Sequence, residues 1–200
     1  MNREKDAPQT EEPTASRITG PEKRSSRILE LHRHLHEYLD LNEGDVDRIT
    51  LLNAINLPEN YQKQFKFLND KRLDDVIIAV VPDNLWKKGR ATSESDAEKK
   101  LILIKKSSYE TQENPDETAW MVHELAHCQK FFDLKSAEEY YKNLETYPDN
   151  PVEEYTFTKQ FEFLKEHGKS RESIVGLLEK LYHEEDFPFF NRLMDRVFSK

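Results

Sequence analysis

The chain has 200 residues, with 30 Lys plus Arg against 39 Asp plus Glu, a formal net charge of -9 with neutral histidines and a pI near 5.4. That balance argues against nucleic acid as the main partner, because neutralising phosphates takes clustered positive charge. No apolar run approaches the roughly 18 residues of a membrane span, and Met1 to Asp6 leads into no apolar stretch of a secretory signal. A single cysteine, Cys128, excludes an internal disulfide and points to a reducing, cytoplasmic compartment.

Residues 1 to 24 carry Pro8, Pro13, Gly20, Pro21 and many charges with little to bury, so they are expected to form a disordered tail. A single domain is expected over 25–200. Ser25 or Ser26 would cap its first helix, whose apolar stripe is Ile28, Leu31, Leu35, Tyr38 and Leu39. Leu51, Leu52, Ile55 and Leu57 suggest a short second helix. Pro58 opens a third, with Tyr61, Phe65 and Leu68 on one side. The period then changes. Val76 to Val81 and Leu101 to Ile104 are short apolar runs that read as buried strands, with the polar segment Gly89 to Lys100 as a loop between them. From Pro115 onward the pattern is helical. One helix runs through His123 to Phe132, and Ser136 caps the next. The segment 148–151 (Pro-Asp-Asn-Pro) breaks the pattern before a long helix that Gly168 ends. Ser170 caps another, and Phe187 to Phe198 closes the chain. The predicted class is α+β: N-terminal helices, a small sheet, then a helical half.

His123-Glu124-Leu125-Ala126-His127 is an H-E-x-x-H motif. Residues four apart share a helix face, so both imidazoles can reach one metal ion, and neutral imidazole suits Zn²⁺. Glu124 is the general base that would take a proton from the metal-activated water. Chance alone gives this motif in roughly one such chain in thirty. Its apolar setting, Ala119 to Val122 and Leu125-Ala126, adds weight, since buried polar groups need partners or a metal. A catalytic zinc site typically has three protein ligands. Glu153, or less favourably Glu154, in the first turn of the helix after Pro151 can supply the third.

Together, His123, Glu124, His127 and Glu153 in E-x-x-T resemble the gluzincin zinc metallopeptidases, a thermolysin-like group in which two helical histidines and a later helical glutamate hold zinc. The resemblance covers residues 99 to 165. It implies a zincin-like active-site helix and hydrolysis of peptide bonds in a peptide or protein substrate. It also makes Leu101 to Ile104 the strand before that helix, near which an edge strand can pair with extended substrate. Thr156 replaces the group's usual small alanine. Phe157 stands where many members carry an aspartate that orients a histidine ligand, so that orienting partner must come from elsewhere. The group also uses a downstream His or Tyr to stabilise the oxyanion, and Tyr155, His167 and His183 are the candidates. The alternative is a metallopeptidase-like binding or regulatory protein without turnover. Repressor-cleaving H-E-x-x-H peptidases encoded with phage-type regulators fit less well, since no DNA-binding module is evident.

His32, His34 and His36 form no completed ligand set, because Arg33 and Glu37 flank them and no carboxylate or cysteine arrangement completes them. Cys128 reads as a small hydrophobe. Phe131, Phe132, Trp86 and Trp120 read as core.

Overall fold

The computed structural model describes residues 21–87, 91–110, 115–134 and 136–199. Most of the expected tail, residues 1–20, lies outside them. Helix α1 (Pro21–Leu39) begins ahead of Ser25 and Ser26, which sit inside it. Leu31, Leu35 and Leu39 form its buried stripe.

A four-stranded mixed sheet follows, built of β1 (Thr50–Asn53), β2 (Ile77–Val81), β3 (Ser93–Asp96) and β4 (Leu101–Lys105). Its order is β1-β2-β4-β3. Strands β2 and β4 run parallel, and each edge strand is antiparallel to its neighbour. Two of the four strands correct the sequence reading. The apolar residues that suggested a helix at 51–57 alternate instead: Leu51 packs into one core cluster and Leu52 into the other. Adjacent strand residues point to opposite faces, and a run of only two such residues cannot be told from part of a helical stripe. The polar segment expected as a loop contains β3. Its period is 2 as well, but both faces carry polar residues, so hydropathy does not reveal it. Strand β4 is therefore an inner strand, and β3 is the edge strand on that side.

Helix α2 (Glu59–Leu68) starts after Pro58 and buries Tyr61 and Leu68. A short α3 (Lys106–Glu110) leaves the end of β4. The helical half then comprises α4 (Pro115–Asp133), α5 (Ala137–Lys142), α6 (Pro151–Glu166), α7 (Arg171–Leu178) and α8 (Phe187–Phe198). The expected signals act here. The Ser136 hydroxyl accepts from Glu139 N at 3.1 Å and Ser170 from Ser173 N at 3.2 Å, each satisfying a free N–H of a first turn. Gly168, at φ +79°, takes the left-handed conformation that ends α6.

The sheet separates two apolar layers. Ala79, Val81, Leu101 and Leu103 face α1. Ile78, Val80, Ile102 and Ile104 face the helical half, where Met121, Val122, Leu125, Phe157, Phe161 and Phe190 are almost wholly buried. The fold is α+β, and α4 lies at its centre between β3, α2 and α6. No helix among the described residues is long and apolar enough to cross a membrane.

Candidate metal centre

Helix α4 is buried without interruption from Met121 to Cys128. A helix buried on all sides must be apolar throughout or have its polar groups engaged. Its three polar residues, His123, Glu124 and His127, all meet partners from other elements.

Both histidines turn Nε2 toward α6. The two Nε2 atoms lie 3.1 Å apart. Glu153 Oε2 lies 3.4 Å from His123 Nε2, and Oε1 lies 3.6 Å from His127 Nε2. One ligand atom from each of the three residues falls within 4.8 Å of the others. Glu153 is delivered by a well-defined helix start: Pro151 is at N1 and the Asn150 side chain accepts from Val152 N and Glu153 N, at 3.0 and 2.9 Å. Glu154, one step around the helix, pairs with Arg196 of α8. Successive helical residues point about 100° apart, so only one of the two acids can face α4.

The spacing suits a metal ion. A tetrahedral ion with bonds of about 2.0–2.1 Å separates its ligand atoms by roughly 3.3 Å, close to the 3.1 Å between the two nitrogens and to the distance from each nitrogen to its nearer carboxylate oxygen. The donor set is two imidazoles and a carboxylate, with no thiolate. Each residue also has a neighbour behind it. His127 Nδ1 lies 2.9 Å from the Tyr140 hydroxyl. The Thr156 hydroxyl donates to Glu153 Oε2 at 3.3 Å. His123 Nδ1 and Gln160 Oε1 are both buried atoms without a hydrogen-bond partner, and the Gln160 side chain lies near enough to the His123 ring to favour its protonated form. Phe157, in the place of the missing aspartate, packs edge-on against His123 with centroids 4.4 Å apart.

Glu124 lies beside the triad on the β3 side. Ser93 Oγ donates to its Oε1 at 3.1 Å, and Ser95 adds a second hydrogen bond. Burial raises the Glu124 pKa against the opposing pull of His123 and the two serines. Burial opposes protonation of His123, but the hydrogen bond to Glu153 and the charges of Glu124 and Glu153 outweigh it and raise its pKa. Burial and the neighbouring His123 charge lower His127 to about 3. Burial would raise Glu153, yet both histidines hold it below the usual carboxylate range. Each histidine and Glu124 keeps 7% of its surface accessible and Glu153 keeps 5%, so the pocket is narrow but not sealed.

Three residues expected near the oxyanion are engaged elsewhere. The Tyr155 hydroxyl donates to Gln129 Oε1 at 2.6 Å. His167 Nδ1 lies 2.8 Å from the Phe163 carbonyl. The His183 backbone N–H donates to Asp186 Oδ2 at the start of a 3₁₀ turn. Two tyrosines that the sequence reading did not single out feel the charges of Glu153 and Glu124. The Tyr147 and Tyr182 hydroxyls lie 3.4 Å apart. Desolvation is the largest cause raising both phenols, Tyr147 to about 12 although that residue is 60% exposed, and Tyr182 is raised next by Tyr147 and then by the two carboxylates. Tyr182 also packs edge-on against Phe157. Their place in irregular segments leaves no periodic signal in the sequence.

The other singled-out residues have structural partners. His34 Nε2 lies 2.9 Å from Asp96 Oδ2, and its ring stacks on Tyr38. Cys128 lies in the core, where burial pushes its thiol up. Trp120, Phe131 and Phe132 pack against that same cluster and are partly buried. Trp86 packs against the α1 layer.

No protein-family model matches the chain, and neither a curated protein nor a solved structure does.

Proposed function

We propose that the chain is a zinc-dependent peptidase of the gluzincin kind, cleaving a peptide or protein substrate in the cytoplasm with Glu124 as general base. The observation that carries this reading is the convergence of His123, His127 and Glu153 in one buried pocket beside Glu124. Those three residues would hold the ion, since two imidazoles and a carboxylate are donors that zinc favours. When bound, zinc supplies Lewis acidity, lowering the pKa of a water to about 7 and polarising a carbonyl.

The chain's own groups do the proton work. Glu124 accepts the water's proton on a carboxylate oxygen and delivers it to the leaving amine nitrogen. A pKa raised by burial suits this role, because it strengthens the carboxylate as a base. Ser93 keeps the carboxylate from turning away. The Tyr147 and Tyr182 hydroxyls, protonated well past neutrality, would donate to negative charge developing on the scissile carbonyl oxygen. Strand β3 ends the sheet beside α4, which favours an extended substrate that adds to its edge. The single buried thiol fits a reducing compartment.

The test is elemental analysis of the purified chain together with cleavage of a peptide library. About one zinc per chain is expected. Glu124→Gln should retain it while cleavage falls by roughly 10²–10⁴-fold or more, and His123→Ala should lose the metal. Zinc retained by a wild-type chain that cleaves nothing favours the binding or regulatory reading. A chain that takes up no transition metal overturns both.

A further inference from the structure

We infer that Tyr140, Gln160 and Thr156 form an uncharged outer ring of positioning residues that fixes the two histidines and Glu153 for a metal ion, in place of the aspartate that the E-x-x-T segment lacks. The inference rests on the metal reading above and goes on to say how the ligands are held.

The geometry gives each inner residue its own neutral partner. A ring that offers Nε2 to a cation must carry its proton on Nδ1, and that N–H needs an acceptor. For His127 the acceptor is the Tyr140 hydroxyl oxygen at 2.9 Å. Tyr140 is 4% exposed and its ring is held edge-on by Phe131 and Tyr141, at 5.3 and 5.4 Å, so the hydroxyl has little freedom to leave. For His123 the acceptor at hand is the Gln160 carbonyl oxygen. Gln160 is 3% exposed and stands on the face of α6 that carries Glu153 and Phe157, at i, i+4 and i+7. Its Oε1 and the His123 Nδ1 are both buried without a hydrogen-bond partner, a costly state for two such atoms that pairing them with each other would relieve. Thr156 Oγ1 donates to the third inner residue, Glu153.

Charge explains why this ring is neutral. A divalent cation, one carboxylate and two neutral imidazoles sum to +1, and Glu124 brings the pocket to zero. An aspartate in the outer ring would leave an uncompensated negative charge among Phe157, Phe161 and Phe190, all wholly buried, where desolvation opposes it. A phenol and a carboxamide hold the rings in the right tautomer without that charge. They also push less electron density onto the rings than a carboxylate would, leaving the cation more electrophilic.

The experiment uses the full chain, metal-stripped and titrated with Zn²⁺ against a chromophoric chelator, and with Co²⁺ to read the visible ligand-field bands. Tyr140→Phe and Gln160→Leu should each weaken zinc binding by roughly 10–100-fold and shift the cobalt bands. Gln160→Glu, which keeps an acceptor but adds the charge that the apolar surroundings oppose, should bind zinc more tightly than Gln160→Leu. Zinc affinity within twofold of wild type and unchanged cobalt bands in Tyr140→Phe and Gln160→Leu overturn the inference. So does weakened zinc binding with unchanged cobalt bands, which marks a purely structural role. A wild-type chain that binds neither ion overturns the metal reading itself, an outcome distinct from equal binding by wild type and variants.

Discussion

Neighbouring acids on α6 illustrate how one residue's rotation about a helix sets its chemistry. Glu153 faces both histidines, whereas Glu154 reaches Arg196. Their sequence surroundings are the same, and both sit in a first turn, where an acid also favours the helix dipole. Glu153→Ala should therefore weaken zinc binding by more than the roughly 10–100-fold that follows loss of an outer partner. Glu154→Ala should leave zinc binding unchanged and alter unfolding free energy by no more than about 1 kcal/mol, because its ion pair is partly exposed. Chelator competition and denaturant unfolding check the two halves. A Glu154 variant that loses metal would show the assignment of the two acids to be reversed. At this scale the motif made His123, Glu124 and His127 legible, since four-residue spacing alone puts the imidazoles on one face. Glu153 was favoured over Glu154 from the sequence, but the engagement of Tyr140 and the Tyr147–Tyr182 pair were not legible. Each depends on where a second element packs.

Strand β3 does two jobs through its alternation. Ser93 and Ser95 point to the helical half and hold Glu124, while Glu94 accepts from Tyr38 at 3.0 Å and Asp96 meets His34 on the α1 side. A strand with polar residues on both faces persists because each face has hydrogen-bond partners. The same absence of apolar alternation made it look like a loop. The opposite end of the domain has a comparable polar fastening. Asp70 caps the 3₁₀ turn Lys71–Asp75, clasps Arg72 and accepts from Gln129 of α4 at 3.2 Å. The Arg72 hydrogen bond is the largest reason that the Asp70 pKa falls below its ordinary 3.8. A depressed folded-state pKa means that this stabilisation is complete above the unfolded value, near 3.8, and is lost as pH falls through the lower folded value. Asp70→Asn should thus cost about 1 kcal/mol at pH 7 after allowance for solvent screening. The difference from wild type should vanish in strong acid, as urea unfolding at pH 7, 4 and 2.5 would register. A gap that persists unchanged at pH 2.5 would rule out this ionisation as its source.

For the whole molecule, the metal reading links binding to folding. A ligand set drawn from α4 and α6 exists only when those helices are docked, so any ion held there stabilises the folded chain. At free zinc about 100-fold above its dissociation constant the gain is about 2.7 kcal/mol. For a chain of this size that corresponds to a rise in thermal midpoint of roughly 5–10 °C. Scanning calorimetry with and without zinc should show that rise in the wild type and none in His123→Ala. An equal rise in both would place the zinc elsewhere.

What the sequence determined by itself is the local and periodic part. Pro and Gly punctuation, Ser caps and 3.6-residue apolar stripes marked the helices from Pro115 to Phe198, and the apolar runs at 76–81 and 101–104 marked the inner strands, because these signals act through neighbours in the chain. Only the tertiary structure decided that Thr50–Asn53 and Ser93–Asp96 are edge strands. It fixed that Glu153, the acid the sequence favoured, turns toward α4 while Glu154 meets Arg196, and it alone decided which neutral side chains stand behind the histidines. Those outcomes depend on contacts between segments tens of residues apart, and such contacts leave no period along the chain from which they could be read.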